Sequence, residues 1–189
     1  MAAQDLAKAS KAPSTTIRAS RDSDVPAVQS IYAHHVLHGT ASFELEPPDL
    51  EEIGRRRADV LRNGFPFLVA ESQGRVLGYA YANFFRMRPA YRFMVENSIY
   101  VAHDAAGRGM GRALLSELIA GCEAAGCRQM LAVIGDSGNV ASIALHAACG
   151  FRFAGVVRAS GWKFDRWLDT VLMQRDLGEG FASPAPAGR

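Results

Sequence analysis

The stretch from Ser98 to Leu115 restricts the fold more than any other, because an apolar, β-prone run, Ser98-Ile-Tyr-Val101, passes into a glycine-rich turn and then into residues at helical spacing. Strand, turn and helix in that order, with Gly107, Gly109 and Gly111 at the junction, form a ready phosphate site. Glycine has no Cβ, so the turn can take dihedrals closed to other residues, and a ligand can come close to the main chain. N–H groups at the start of the helix and its positive dipole end favour an anion, and Arg108 and Arg112 add formal charge at the rim. Two nucleotide signatures fail against these letters. No Gly-x4-Gly-Lys-Ser/Thr occurs, and Gly107-Arg-Gly-Met-Gly111 runs into Arg112-Ala-Leu with no third glycine at the dinucleotide offset. A plain strand-to-helix connection without a ligand stays open on this segment alone.

The rest of the chain supplies a frame for that unit. Residues 15–19 read as a strand, and Asp22-Ser-Asp24 before Val25-Pro26 reads as the start of an amphipathic helix through about His38. A second helix is expected over 49–62. Strands follow at 67–71, 76–85 and 93–101 as an antiparallel meander, with Gln73-Gly74 as the first turn. A helix over 109–125, a short buried strand over 130–134, a helix over 139–148 and a hairpin of 153–158 with 167–175 complete an α/β order. No internal repeat occurs.

With 189 residues, 49% of them hydrophobic, the chain suits one domain over 15–177. Residues 1–14 and 178–189 read as mobile tails; a targeting role for the first stays open, with its lack of arginine against it. A net charge of +2 is too small and dispersed to argue for nucleic acid, and no apolar run reaches the roughly 18 residues of a membrane span. Cys122, Cys127 and Cys149 are odd in number and lack metal-ligand spacing, and no secretory segment precedes them, so a cytoplasmic protein with reduced thiols is expected.

Two blocks carry a resemblance to the Gcn5-related N-acetyltransferase (GNAT) superfamily over about residues 15–177. The superfamily's motif Gln/Arg-x-x-Gly-x-Gly/Ala is matched by Gly109-Met110-Gly111, with Ala106 departing at the first position. Asn139-Val-Ala-Ser142-Ile-Ala-Leu-His146-Ala-Ala-Cys-Gly150-Phe151 resembles its second block. Thr40-Ala-Ser-Phe43 with Glu44 and Pro47-Pro48, Arg88-Pro-Ala-Tyr91-Arg92, Val95-Glu-Asn-Ser-Ile-Tyr-Val101 and Lys163-Phe-Asp-Arg-Trp-Leu-Asp169 are similar to the phosphinothricin and methionine sulfoximine acetyltransferase group; Asp165 stands where a glycine is usual. The resemblance implies a mixed, mostly antiparallel central sheet flanked by helices, with a splayed strand pair at an acetyl-CoA site. It further implies a small amine substrate, a homodimer, and neither metal nor membrane nor nucleic acid as partner.

Acetyl transfer to an amine needs a base, an oxyanion site and a proton for the leaving thiolate. The resemblance makes Glu96 the base, its alternative being a surface salt bridge; partial burial would raise its pKa toward a useful range. It also points to main-chain N–H groups at Ile99, Tyr100 and Val101 for the oxyanion, although the Tyr100 ring reads as core before it reads as site. Cofactor contacts fall on Gly107, Arg108, Gly109, Met110, Gly111 and Arg112, and on Asn139 and Ser142; Asn139 also suits a helix cap, and Ser142 also suits helix packing. His146 is the candidate acid for the thiolate, or a satisfied core histidine. Phe43, Arg88, Pro89, Ala90, Tyr91, Glu96, Asn97 and Ser98 form the expected substrate site, with Trp162 as a further wall and the Arg88 guanidinium suited to a carboxylate or else solvated in a loop. His34 and His38 have metal-pair spacing but no surrounding zinc motif, and Cys149 lacks an activating partner, which favours direct transfer over an acyl-cysteine step. Acetylation of a protein N-terminus or lysine, and a non-catalytic CoA sensor, are the competing functions.

Overall fold

Alternating apolar residues drive the central meander. They form β2 (Phe67–Ser72) and β3 (Arg75–Phe84) around the Gln73-Gly74 turn, then β4 (Met94–Val101). The structure, a computed structural model, describes residues 15–185; residues 1–14, the expected N-terminal tail, and 186–189 lie outside the described residues. β1 (Thr16–Ala19) pairs with β2, and a 3-10 turn at Asp22–Asp24 leads into α1 (Val25–His38), where Pro26 lies in the first turn. Asp49 caps α2 (Leu50–Arg62) by accepting from the Glu52 N–H at 2.8 Å.

After β4 the chain forms α3 (Met110–Ala124), β5 (Gln129–Gly135), α4 (Val140–Ala148), β6 (Arg152–Lys163) and β7 (Arg166–Asp176). The sheet order is β1-β2-β3-β4-β5-β7-β6, and every pairing is antiparallel except β4 with β5. That parallel pair requires a crossover, which α3 supplies. Leu114, Leu115, Leu118 and Cys122 of α3 are fully buried. A Cβ built on Gly78 would lie 3.2 Å from Leu114, whereas the ring of its neighbour Tyr79 stacks on Tyr100, which meets Tyr32 of α1 edge-on. Because successive strand residues face opposite sides, α3 and α1 cover opposite faces of the sheet.

The terminal hairpin is longer than its sequence suggests. Ala159-Ser-Gly161 reads as the end of a strand, but the register shifts between Val157 and Gly161, Ala159 takes φ 48°, and its N–H donates to the Asp169 carboxylate at 2.9 Å. This bulge lets β6 resume and reach a turn at Phe164-Asp165, both at positive φ. The described part of the expected C-terminal tail, 178–185, turns back so that Arg128 donates to the Ser183 hydroxyl and the Pro184 carbonyl. Among the described residues no helix is long and apolar enough to cross a membrane.

Candidate active site

β4 and β5 pair only from Met94↔Gln129 to Asn97↔Ala132, and beyond that point they part. The direction of the main-chain groups along the gap follows from two hydrogen bonds. Ala102 N–H donates to Leu77 O at 2.8 Å, so even-numbered residues of β4 face β3, and those of Ile99 and Val101 face the gap. Asp136 N–H donates to Asp169 O at 2.8 Å, so even-numbered residues of β5 face β7, and Val133 and Gly135 face the gap from the other side. Of the three expected oxyanion residues, Tyr100 is therefore corrected: its N–H belongs to the β3 ladder and its ring to the aromatic stack. The Val101 carbonyl accepts from Nε2 of His35 at 2.9 Å, since a carbonyl has no hydrogen to give.

A cavity of about 330 Å³ opens where the strands part. Glu96, Asn97, Ser98 and Ile99 line it from β4, Phe43 from the α1–α2 connection, and Asn139, Ser142 and His146 from the α4 side. Burial pushes the Glu96 carboxyl above the usual carboxylate range, and the positive charge of Arg86 partly offsets this. Tyr81, hydrogen-bonded to Ser98, is held as a phenol by burial and stands in the same wall.

Asn139 caps α4, its Oδ1 accepting from the Ser142 N–H at 3.3 Å while its Nδ2 donates to Gly135 O at 3.4 Å. His146 is 2% exposed, and its Nδ1 lies 2.8 Å from Ser142 O. Its Nε2 lies 3.1 Å from Asn97 Oδ1, and Asn97 Nδ2 donates to Leu131 O at 3.1 Å. Burial lowers the imidazole pKa, and because Ser142 O and Asn97 Oδ1 are both acceptors, a ring with one hydrogen donates to only one of them at a time. His146 thus stands in the cavity wall between Ser142 and Asn97, the last β4 residue paired with β5.

The glycine turn stands at the outer end of the gap. Gly109 takes φ 78° at the N-cap of α3, which has no side-chain cap, unlike α2 and α4. The first helical bond runs from Ala113 N–H to Gly109 O at 3.1 Å, so the N–H groups of Met110, Gly111 and Arg112 have no acceptor within the helix. Gly107, Arg108 and Gly109 are exposed, whereas the Met110 side chain is core. A Cβ on Gly111 would approach Leu145 to 3.2 Å and Val101 to 3.9 Å, which fixes this helix start between the end of β4 and α4.

Not every expected substrate residue reaches the cavity. Arg88, Pro89, Ala90 and Tyr91 lie on an exposed 3-10 turn after β3 and are not among the residues around it; Tyr91 packs edge-on against Phe85. Trp162, at 53% exposed, is likewise absent from the wall. Residues that the sequence reading passed over do line it: Glu44 and Arg56, joined at 2.6 Å, with Tyr32 and Tyr81. The run Arg55-Arg56-Arg57 gave no signal for Arg56: Arg57, four residues after buried Ile53, is the one on the buried face of α2, and Arg56 reaches the cavity from its edge. His34 stacks on His103 and lies near His38; among the described residues no group of three or more metal-ligating side chains is assembled.

A family model described as acetyltransferase (GNAT) domain matches residues 17–172. The chain is 59% identical over 165 residues to phosphinothricin N-acetyltransferase of Alcaligenes faecalis, covering 87% of this chain and 84% of that one. It is 39% identical over 172 residues to L-methionine sulfoximine/L-methionine sulfone acetyltransferase of Pseudomonas aeruginosa, covering 90% and 99%. A crystal structure of a GNAT superfamily phosphinothricin acetyltransferase from Sinorhizobium meliloti in complex with AcCoA superposes with a TM-score of 0.89 at 47% identity, covering 92% of this chain and 94% of that one.

Proposed function

Since this chain belongs to the GNAT acetyltransferase family, we propose that it transfers the acetyl group of acetyl-CoA to the α-amino group of a small amino-acid-like substrate, of the phosphinothricin, methionine sulfoximine or methionine sulfone type. The observation that carries this reading is Glu96, a desolvated carboxylate in the wall of the cavity at the parting of β4 and β5.

The residues present suit acetyl-CoA as the acyl donor. The Ile99 carbonyl and the main-chain groups of Val133, which have no cross-gap partner, would take the amides of its pantetheine arm. The uncapped start of α3, with Arg108 and Arg112, would take its pyrophosphate. Acetyl-CoA supplies a thioester carbonyl. The substrate nitrogen forms the C–N bond to that carbon, and its proton passes to Glu96, directly or through water. The N–H groups of Ile99 and Val101 are the donors for the oxyanion, and the C–S bond breaks as the carbonyl re-forms. The thiolate takes its proton from His146, which lines the cavity, or from water. For an anionic substrate group, Arg86 and Arg56 replace Arg88 as the nearer cations. A cytoplasmic homodimer belongs to the same reading; its support is the exposed face of the terminal hairpin, with Phe153, Trp162, Phe164 and Trp167 all more than half exposed.

Purified protein incubated with each of the three amines, acetyl-CoA and a thiol reagent should release thiol with at least one of them. Release with none would defeat the substrate reading. Turnover only with peptides would favour protein acetylation, and CoA binding without any turnover would favour a sensor.

A further inference from the structure

Lys163 ends β6 outside the cavity and is 4% exposed. Its Nζ donates to Gly39 O at 3.0 Å and to Ser42 O at 2.7 Å. Those carbonyls belong to the connection between α1 and α2, which has no regular secondary structure yet gives Ala41, Ser42, Phe43 and Glu44 to the cavity wall. A segment without a ladder must find partners for its main-chain groups elsewhere. Among the described residues no carboxylate forms a salt bridge with Lys163, so ion pairing does not account for an ammonium withdrawn from water. Two glycines show how tightly the same segment is seated. A Cβ on Gly135 would lie 2.2 Å from Thr40 O, and one on Gly161 would lie 2.5 Å from the Phe43 ring. The opposite side of the segment is tied by Tyr32 to Ser42 at 2.8 Å and by Arg56 to Glu44 at 2.6 Å.

We propose that Lys163 is a positioning residue for acetyl transfer: its ammonium clamps the main chain of Gly39 and Ser42 against β5 and β6, and so sets where Phe43 and Glu44 stand over the amine. This inference rests on the function proposed above. Lys163 touches neither the cavity nor the reacting atoms, so its effect runs entirely through the wall.

The test compares wild type, K163Q and K163M. Amide hydrogen exchange over residues 40–44 should speed by about tenfold in K163M, which has no donor, and by less in K163Q. The KM for methionine sulfone, or for whichever amine the wild type acetylates, should rise about tenfold in K163M in the same rank order. Calorimetric Kd for acetyl-CoA should stay within about twofold, since the cofactor groups lie on other elements. A folded K163M with unchanged exchange at 40–44, or with faster exchange and unchanged amine KM, overturns the proposal. So does an equal loss of acetyl-CoA affinity, which would mean general loosening. If K163M does not fold, the same three readings on K163Q decide. Wild type that turns over no amine defeats the functional reading, whereas active wild type with indifferent variants defeats the clamp alone.

Discussion

Glu96 and Arg86 form the residue-scale pair with the sharpest consequences. Desolvation raises the Glu96 pKa and Arg86 lowers it, so kcat/KM should climb with pH as the carboxyl loses its proton. In E96Q that acid limb should vanish and kcat should fall about a hundredfold. R86A, which removes the opposing charge, should move the limb to higher pH; a pH–rate profile that stays in place would remove Arg86 from the site. Stability follows with a definite sign. A carboxyl whose folded pKa exceeds its unfolded value binds more protons when folded, so stability falls as pH rises through that window. E96Q should therefore melt above wild type at pH 8, with the difference shrinking as pH drops below the ordinary carboxylate range, as thermal melts would show. Glu96 itself was legible in the sequence through its motif. Its environment was not, because Arg86, Tyr81 and the Glu44–Arg56 pair come from three other segments of the chain.

Among the elements, α3 and α4 show how local chemistry and ligand chemistry share the same atoms. Gly109 holds φ 78° at an uncapped helix start. G109A must adopt a left-handed conformation that costs about 1–2 kcal/mol, and CoA affinity, read by calorimetry at a temperature where both proteins are folded, should fall with it. Asn139 works differently, since its side chain caps α4. N139A should lose about 1 kcal/mol of stability from the cap, measured by chemical denaturation. Glycine and cap signals placed both helices to within a residue, and alternation placed the meander. The β6 bulge was hidden because Ala159-Ser-Gly161 has turn composition, while the contact that keeps it in a strand, Ala159 N–H to Asp169, spans ten residues and depends on β7.

At the scale of the whole molecule, β1 and β6 are the two edges of the sheet, and only β6 is long and exposed, carrying Phe153 and Trp162 with Trp167 opposite on β7. Apolar surface of that kind favours association. Sedimentation equilibrium should give twice the chain mass at micromolar concentration, and W167S should shift the balance toward monomer; a wild-type monomer under those conditions would end the dimer reading. Same-strand periodicity, glycine placement and helix caps act over a few residues, so the sequence alone determined the element order and the strand–turn–helix unit at Gly109, while the family resemblance singled out Glu96 as the candidate base. Which side chains surround that carboxylate, which main-chain donors face the gap, that His146 meets Asn97, and why Arg88 stands outside were decided only by tertiary structure. Burial, strand pairing and close approach between segments more than a hundred residues apart, such as Lys163 against Gly39, exist only once the chain has folded.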